Sequence, residues 1–503
     1  MKIDYLWHSE FLINIEWKDW KIVKILSDCW LSNYVFWDLM ARNPTFKIDY
    51  KKLWDIDAIF ISHSHSDHFD PYTLIEFYNN FDNLPLLLIP ETMEFLVWLI
   101  EKYVPNFTYK ILRNKQEIDI KWVKVKWLVY ENGYITNEDD VMTLFVYNDK
   151  EIIYAEVDTL PPETQDAQNY IFNTFSAKKY ESVFYLATRN ELEWNIKLLD
   201  ISDESKRNEF VIEYTNTRKE NIERDFVRFA EEMVDFKDIT NVKNYCKSLI
   251  WQGIVYPKKL DINALKVKVL WLDELVQIEK SIMRKYNKNY DLSYFEAGYT
   301  YEIKNWKIKK IEKINYIYDL VFDNFTANIS QKFNRYYSNW PLNKLNLDID
   351  NQEKIILDLL NNKFLAYQIV NLEDPLKNIL LQNKRDYVIK ITYLDDWKYV
   401  EKYYSYWFSK SNFVEISNPN YFDEDYYAND VFDFYEWRQE LYSNFWHKLT
   451  SWKWYRFWTM LWANFLNNDL VYKKYELHFK LASEWRKVDD FVENMFKDMV
   501  WNK

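Results

Sequence analysis

The stretch AIFISHSHSDHFDP (58–71) runs from an apolar strand straight into His63-Ser64-His65-Ser66-Asp67-His68. Metal-capable side chains crowd these six positions, in a chain with only 6 histidines. In extended backbone, residues i and i+2 point to the same side, so His63 and His65 can share one ion. Asp70-Pro71 then has the form of a helix start, with Asp at the N-cap and Pro at the first helical position. A turn into a helix at 71 swings Asp67 and His68 toward a second, adjacent ion. Imidazole nitrogen and carboxylate oxygen suit zinc, iron or manganese. The bland alternative is a polar loop with unrelated histidines.

Outward from this stretch, residues 1–200 read as many short strands with few helices. YLWHS, FLINIE, KIVKILSD, AIFISH, PLLLIP, VKVKWLVYE, TLFVYN, EIIYAEVD and SVFYLAT are β-branched or aromatic runs bounded by turn residues. Helices are predicted over 71–80 and 91–102. Residues 202–250 are charged, with apolar positions near helical spacing, as in a solvated amphipathic helix. From about 300, hairpins such as YEIKNWKIKKI alternate with helices such as QEKIILDLLNNKFLA. The expected architecture is mixed α/β (α+β): a metal-binding domain over 1–200, a mainly helical connector over 201–299, and an α+β domain over 300–503.

Composition sets outer bounds. A chain of 503 residues is too long for one ordinary domain, and 48% hydrophobic residues is too many for disorder. The 2 cysteines, Cys29 and Cys246, make no disulfide framework and fit a reducing, cytoplasmic compartment. No apolar run reads as a signal peptide or membrane span. A net charge of −13 argues against nucleic acid as partner and leaves a small-molecule substrate as the expectation.

Glycine occurs 3 times and tryptophan 24 times. Asp19-Trp20, Asn305-Trp306 and Asp396-Trp397 stand between strand runs, where a hairpin wants Asp-Gly or Asn-Gly. Such turns need positive φ, which glycine adopts freely and a bulky residue resists. SWKWYRFWTMLW (451–462) likewise makes better sense with glycine. The expectation is that most tryptophans stand where the native protein has glycine, through a codon read as glycine in its host. The alternative is a tryptophan-rich protein.

The His-x-His-x-Asp-His pattern after a strand resembles the signature of the metallo-β-lactamase superfamily. YLWHSEFLI (5–13) resembles that family's opening Tyr-Leu-Gly-His-Ser segment, with Trp7 at the glycine. ILSDCW (25–30) resembles its second strand, and EIIYAEVDTL (151–160) the strand ending in the metal-bridging aspartate, here Asp158. The opening is most like the lactonase-like and phosphodiesterase-like subgroup. The resemblance implies a sandwich of two mixed sheets with helices outside and metals at one sheet edge. It implies His63 and His65 on a first ion, Asp67 and His68 on a second, and Asp158 bridging both. Two divalent ions are expected, zinc first, with iron or manganese as alternatives. A metal-activated water would attack an ester, lactone or phosphodiester, with Asp67 orienting it.

The chain departs from the family pattern. No histidine lies between His68 and Asp158, and the next after it are His447 and His478. Glu131 is a candidate replacement ligand, and Asn190 or Glu191 occupies the region of the last one. His8 is a candidate second donor behind the ligands or a substrate contact. Asp28 and Asp57 are read as turn residues able to orient a ligand histidine, Asp70 as a helix cap. Cys29 reads as a buried thiol, His447 and His478 as structural. Ser9, Ser62 and Ser64 have no convincing base. The leading expectation is a metal-dependent hydrolase. The alternatives are a degenerate binding protein without turnover, and an oxygenase similar to nucleotide-sugar hydroxylases.

Overall fold

The computed structural model describes residues 1–16, 21–32, 34–35, 40–53, 55–129, 142–157, 165–176, 180, 182–189, 197–198, 246–251, 254–257, 272–285, 291–304, 307–321, 347–364, 386, 388–395, 398–407, 412–422, 424–428, 448–449 and 468–484. The apolar runs expected as strands all form strands. Lys2–Trp7 (β1), Glu10–Glu16 (β2), Ile22–Ser27 (β3), Ala58–Phe60 (β4), Leu86–Pro90 (β5) and Tyr109–Leu112 (β6) lie in one sheet. Glu117–Ile120 (β7), Val123–Val129 (β8), Met142–Tyr147 (β9), Glu151–Ala155 (β10), Ser182–Arg189 (β11), Cys246–Trp251 (β12) and Asp291–Tyr294 (β13) make a second, in that order. Tyr299–Lys304 (β14) and Lys307–Lys313 (β15) return to the first sheet, whose order is β15-β14-β1-β2-β3-β4-β5-β6.

Both sheets follow one plan. Each begins as an antiparallel meander and continues with parallel strands: β3-β4-β5-β6 in the first, β10-β11-β12-β13 in the second. Val123, Val125, Trp127, Leu144, Val146, Ile153, Ala155, Phe184 and Leu186 share one core cluster with the first sheet. They alternate at period two, so each strand of the second sheet turns one face inward. Its other face packs on a helix: Phe175 of Gln165–Ser176 meets Phe145 and Tyr154. The architecture is a mixed α/β sandwich with helices outside.

Pro71–Asn80 (α1) starts as expected. Asp70 accepts from the Tyr72 amide at 3.0 Å, and Pro71 fills the first turn, where a missing N–H costs nothing. Burial raises the Asp70 carboxyl above its ordinary value, while bonds from Thr73 and Ser32 pull it back. The helix buries Leu74, Ile75 and Phe77, worth about 1.5–3 kcal/mol each. The helix predicted over 91–102 divides into a 3₁₀ turn, Glu91–Leu96, and an α-helix, Val97–Tyr103 (α2).

The expected domain limits at 200 and 300 do not coincide with the sheets. β12 and β13, from the expected connector, extend the second sheet, and β14 pairs with β1 along Lys2↔Glu302 to Tyr5↔Tyr299. Backbone pairing far along the chain overrides local composition. Most of a further sheet comes from the C-terminal region, strands 448–449, 424–427, 388–395, 398–407 and 412–416 in that order, with 197–198 adding an edge strand beside 448–449. Helix Asn468–Ser483 (α3) instead packs on α1 and α2. No described helix is long and apolar enough to cross a membrane.

Candidate metal centre

β1 ends at Trp7, and the two-residue link to β2 places His8 in the left-handed region at φ 52°. β3 ends at Ser27, and Asp28 follows at φ 54°. β4 ends at Phe60 and opens into the 61–70 loop. The ends of β1, β3 and β4 thus deliver His8, Asp28 and His63–His68 to one rim of the first sheet. Left-handed backbone in non-glycine residues costs about 1–3 kcal/mol each and clusters at functional sites. The loop is tightened by His68 and Phe69 amides, both donating to the His65 carbonyl at 3.0 and 2.8 Å.

The donor atoms converge. His8 Nε2 lies 3.3 Å from His68 Nε2 and 3.6 Å from Asp67 Oδ2. One ligand atom from each of His8, Asp67 and His68 falls within 4.8 Å of the others. His63 Nε2 lies 2.9 Å from His65 Nδ1, and the His63 and His68 rings are 4.1 Å apart. A tetrahedral ion with bonds near 2.1 Å has ligand atoms about 3.4 Å apart, so this donor set fits a divalent metal. His8, His63, Asp67 and His68 are buried, whereas His65 is partly exposed.

A second layer sets the ring orientations. Asp28 Oδ2 sits 2.8 Å from His68 Nδ1, while its Oδ1 accepts the Ser62 amide at 2.7 Å. Nδ1–H of His68 therefore donates to carboxylate, and Nε2 keeps its lone pair for the site. Ser62 Oγ plays the matching part at His63 Nδ1, 2.8 Å away. Asp28 is thus an orienting residue as well as a turn residue. Asp57 has the bland role: it accepts the Lys24 amide at 2.8 Å. Burial pushes the Cys29 thiol well up, so it stays neutral and points its Sγ–H at the His68 carbonyl.

Asp158, Glu131, Asn190, Glu191 and His447 lie outside the described residues. Val157, next to Asp158, is buried at φ 58°, a costly conformation for a β-branched residue. His478 lies buried in α3 with its ring edge toward Tyr475, a structural position. His8, expected behind the ligands, stands in the donor set itself. Two residues escaped the sequence reading. Glu10 is fully buried, and its charge acts on Cys29; a carboxylate opening the apolar run EFLINIE was the available signal. Tyr475 donates to the Ser64 carbonyl from α3, and nothing local in sequence points to it.

No family model matches the chain, and no curated protein matches it. Among solved structures it is similar to the metallo-β-lactamase-fold protein YhfI from Bacillus subtilis, at 11% identity and a TM-score of 0.32, over 60% of this chain and 99% of that one. It is similar to CmlA, a diiron β-hydroxylase from Streptomyces venezuelae, at 11% identity and a TM-score of 0.34, spanning 62% of this chain and 54% of that one. A diphosphatase of the PhnP family aligns at 10% identity and a TM-score of 0.28, over 59% of this chain and 84% of that one.

Proposed function

We propose that the chain is a metal-dependent hydrolase of the metallo-β-lactamase type, acting on a small ester, lactone or phosphodiester. The observation that carries this is the convergence of His8 Nε2 on His68 Nε2 at 3.3 Å and on Asp67 Oδ2 at 3.6 Å, each near the edge of a coordination tetrahedron. His63 and His65 hold one ion. Asp67, His68 and His8 hold the other, so His8 supplies a nitrogen that the family draws from elsewhere in its sequence. Asp158 is assigned as the bridge between them, with Glu131 as a further oxygen ligand. Zinc is the favoured metal, with iron or manganese as alternatives.

A bound divalent ion supplies a water with pKa near 7 and polarises the substrate oxygen. The chain's own part is to place that chemistry. Asp67 accepts a hydrogen bond from the attacking water and so aims its lone pair. Asp28 and Ser62 hold the imidazoles in one tautomer. The buried rings of His8, His63 and His68 exclude bulk water, and the substrate enters past His65. Metal analysis of the full chain, purified without chelator, tests the proposal. Two equivalents are expected in the wild type, with metal and esterase or phosphodiesterase activity both lost in His63→Ala/His65→Ala. Full stoichiometry in that double variant overturns the ligand assignment. A wild type free of metal favours the degenerate binding protein.

We also infer that many tryptophans occupy native glycine positions. Trp7 supports this. It is buried beside His8 and Trp30, and among the described residues its Nε1–H meets no acceptor, at a cost of about 1–3 kcal/mol. Trp127, whose indole donates to the Arg113 carbonyl at 2.7 Å, shows what a satisfied buried tryptophan looks like. Intact mass of the protein from its own host decides between the two residues. Trp20, Trp306, Trp397 and 451–462 lie outside the described residues.

A further inference from the structure

We propose that α3, far along the chain, is a clamp on the metal-binding loop, and that Tyr475 is its positioning residue. This rests on the metal-centre reading above. Ser64 lies between His63 and His65 and is buried, so its carbonyl needs an internal partner. The loop's own amide bonds converge on His65 and leave Ser64 aside. The Tyr475 hydroxyl supplies the partner, donating to the Ser64 carbonyl across 411 residues of sequence. That bond fixes the plane of the peptide leading into His65.

The same helix grips the loop's other end. Phe69, which follows His68, packs edge-on against Tyr475 at 4.9 Å and lies 6.1 Å from Phe479. Tyr475 and Phe479 are four residues apart, hence on one helix face, and both are fully buried. Phe479 also stacks on Tyr103 of α2 at 5.5 Å, and Glu476 meets Lys102 at 3.1 Å. Helix α3 is thereby anchored on α2 and presents its apolar face to the loop. A loop pinned at Ser64 and Phe69 holds His63, His65, Asp67 and His68 at fixed separation before any ion arrives. That is the preorganisation that tight ligation requires.

The experiment compares wild type, Tyr475→Phe and Tyr404→Phe as full-length proteins, titrated with cobalt(II). Tyr475→Phe keeps the ring and removes only the hydroxyl. Tyr404→Phe removes a buried hydroxyl that bonds Tyr393 and Glu353 and touches neither α3 nor the loop. The expected result is about tenfold weaker cobalt binding and a shifted d–d absorption band in Tyr475→Phe, with both unchanged in Tyr404→Phe. Unchanged affinity and spectrum in Tyr475→Phe, or equal loss in both variants, overturns the clamp. Amide hydrogen exchange over 62–69 in the metal-free proteins keeps the two readings separable. If the wild type takes no cobalt, the metal-centre reading fails, and exchange alone judges the clamp. About tenfold faster exchange in Tyr475→Phe supports it, and equal rates refute it.

Discussion

Asp28 uses both carboxylate oxygens, one on the Ser62 amide and one on His68 Nδ1, so a single side chain ties a loop backbone to an imidazole. Replacing it with alanine leaves a buried amide unpaired and frees the ring to rotate. Asp28→Ala is expected to weaken metal binding about 10- to 100-fold, read by competition with a chromophoric chelator. Unaltered affinity would show that His68 is oriented by other groups. At this scale the sequence disclosed the candidate donors better than the groups around them. His63, His65, Asp67 and His68 stand out by spacing within one loop. Asp28 and His8 reach His68 across 40 and 60 residues, and no local periodicity encodes that distance.

Among elements, the β7–β8 hairpin shows how charge pairs support a sheet edge. Glu117 contacts Lys124, Tyr147 and Lys126, the last at 3.3 Å. Partial burial raises its carboxyl, but these partners outweigh it and hold the pKa at about 2, below the ordinary 4.5. A depressed folded-state value means that the stabilisation is complete above the ordinary value and fades as pH falls toward about 2. Glu117→Gln should therefore cost at most about 1 kcal/mol at neutral pH, given solvent screening. The gap between variant and wild type should narrow steadily below pH 4.5 in urea titrations. A gap independent of pH would assign the loss to packing. Strand positions were legible because alternation and β-branched runs are local. The 3₁₀ opening of the 91–103 segment was not, since composition does not separate it from α-helix.

For the molecule as a whole, the proposed centre ties ion binding to folding, because the buried imidazoles and Asp67 converge only in the folded chain. Ion at a hundred times its dissociation constant adds about 2.7 kcal/mol to a folded domain. Chelation should accordingly lower the first thermal transition by about 5–10 °C, reversed by added zinc. A melt indifferent to chelator would place the ion outside the folding unit. Molecular boundaries were the least legible feature. The charged stretch after 200 reads as a connector, yet Cys246–Trp251 and Asp291–Tyr294 complete the second sheet. Parallel pairing between distant segments leaves no mark on the composition of either.

The pairing of β1 with β14 carries a consequence for synthesis on the ribosome. Until residue 304 has left the exit tunnel, β1 presents an uncovered hydrogen-bonding edge to solvent or to chaperones. The contact that seats Ser64 must wait longer still, for residue 475. A nascent or prematurely terminated product thus carries all the histidines of the 58–71 stretch without the partners that seat them in the folded protein.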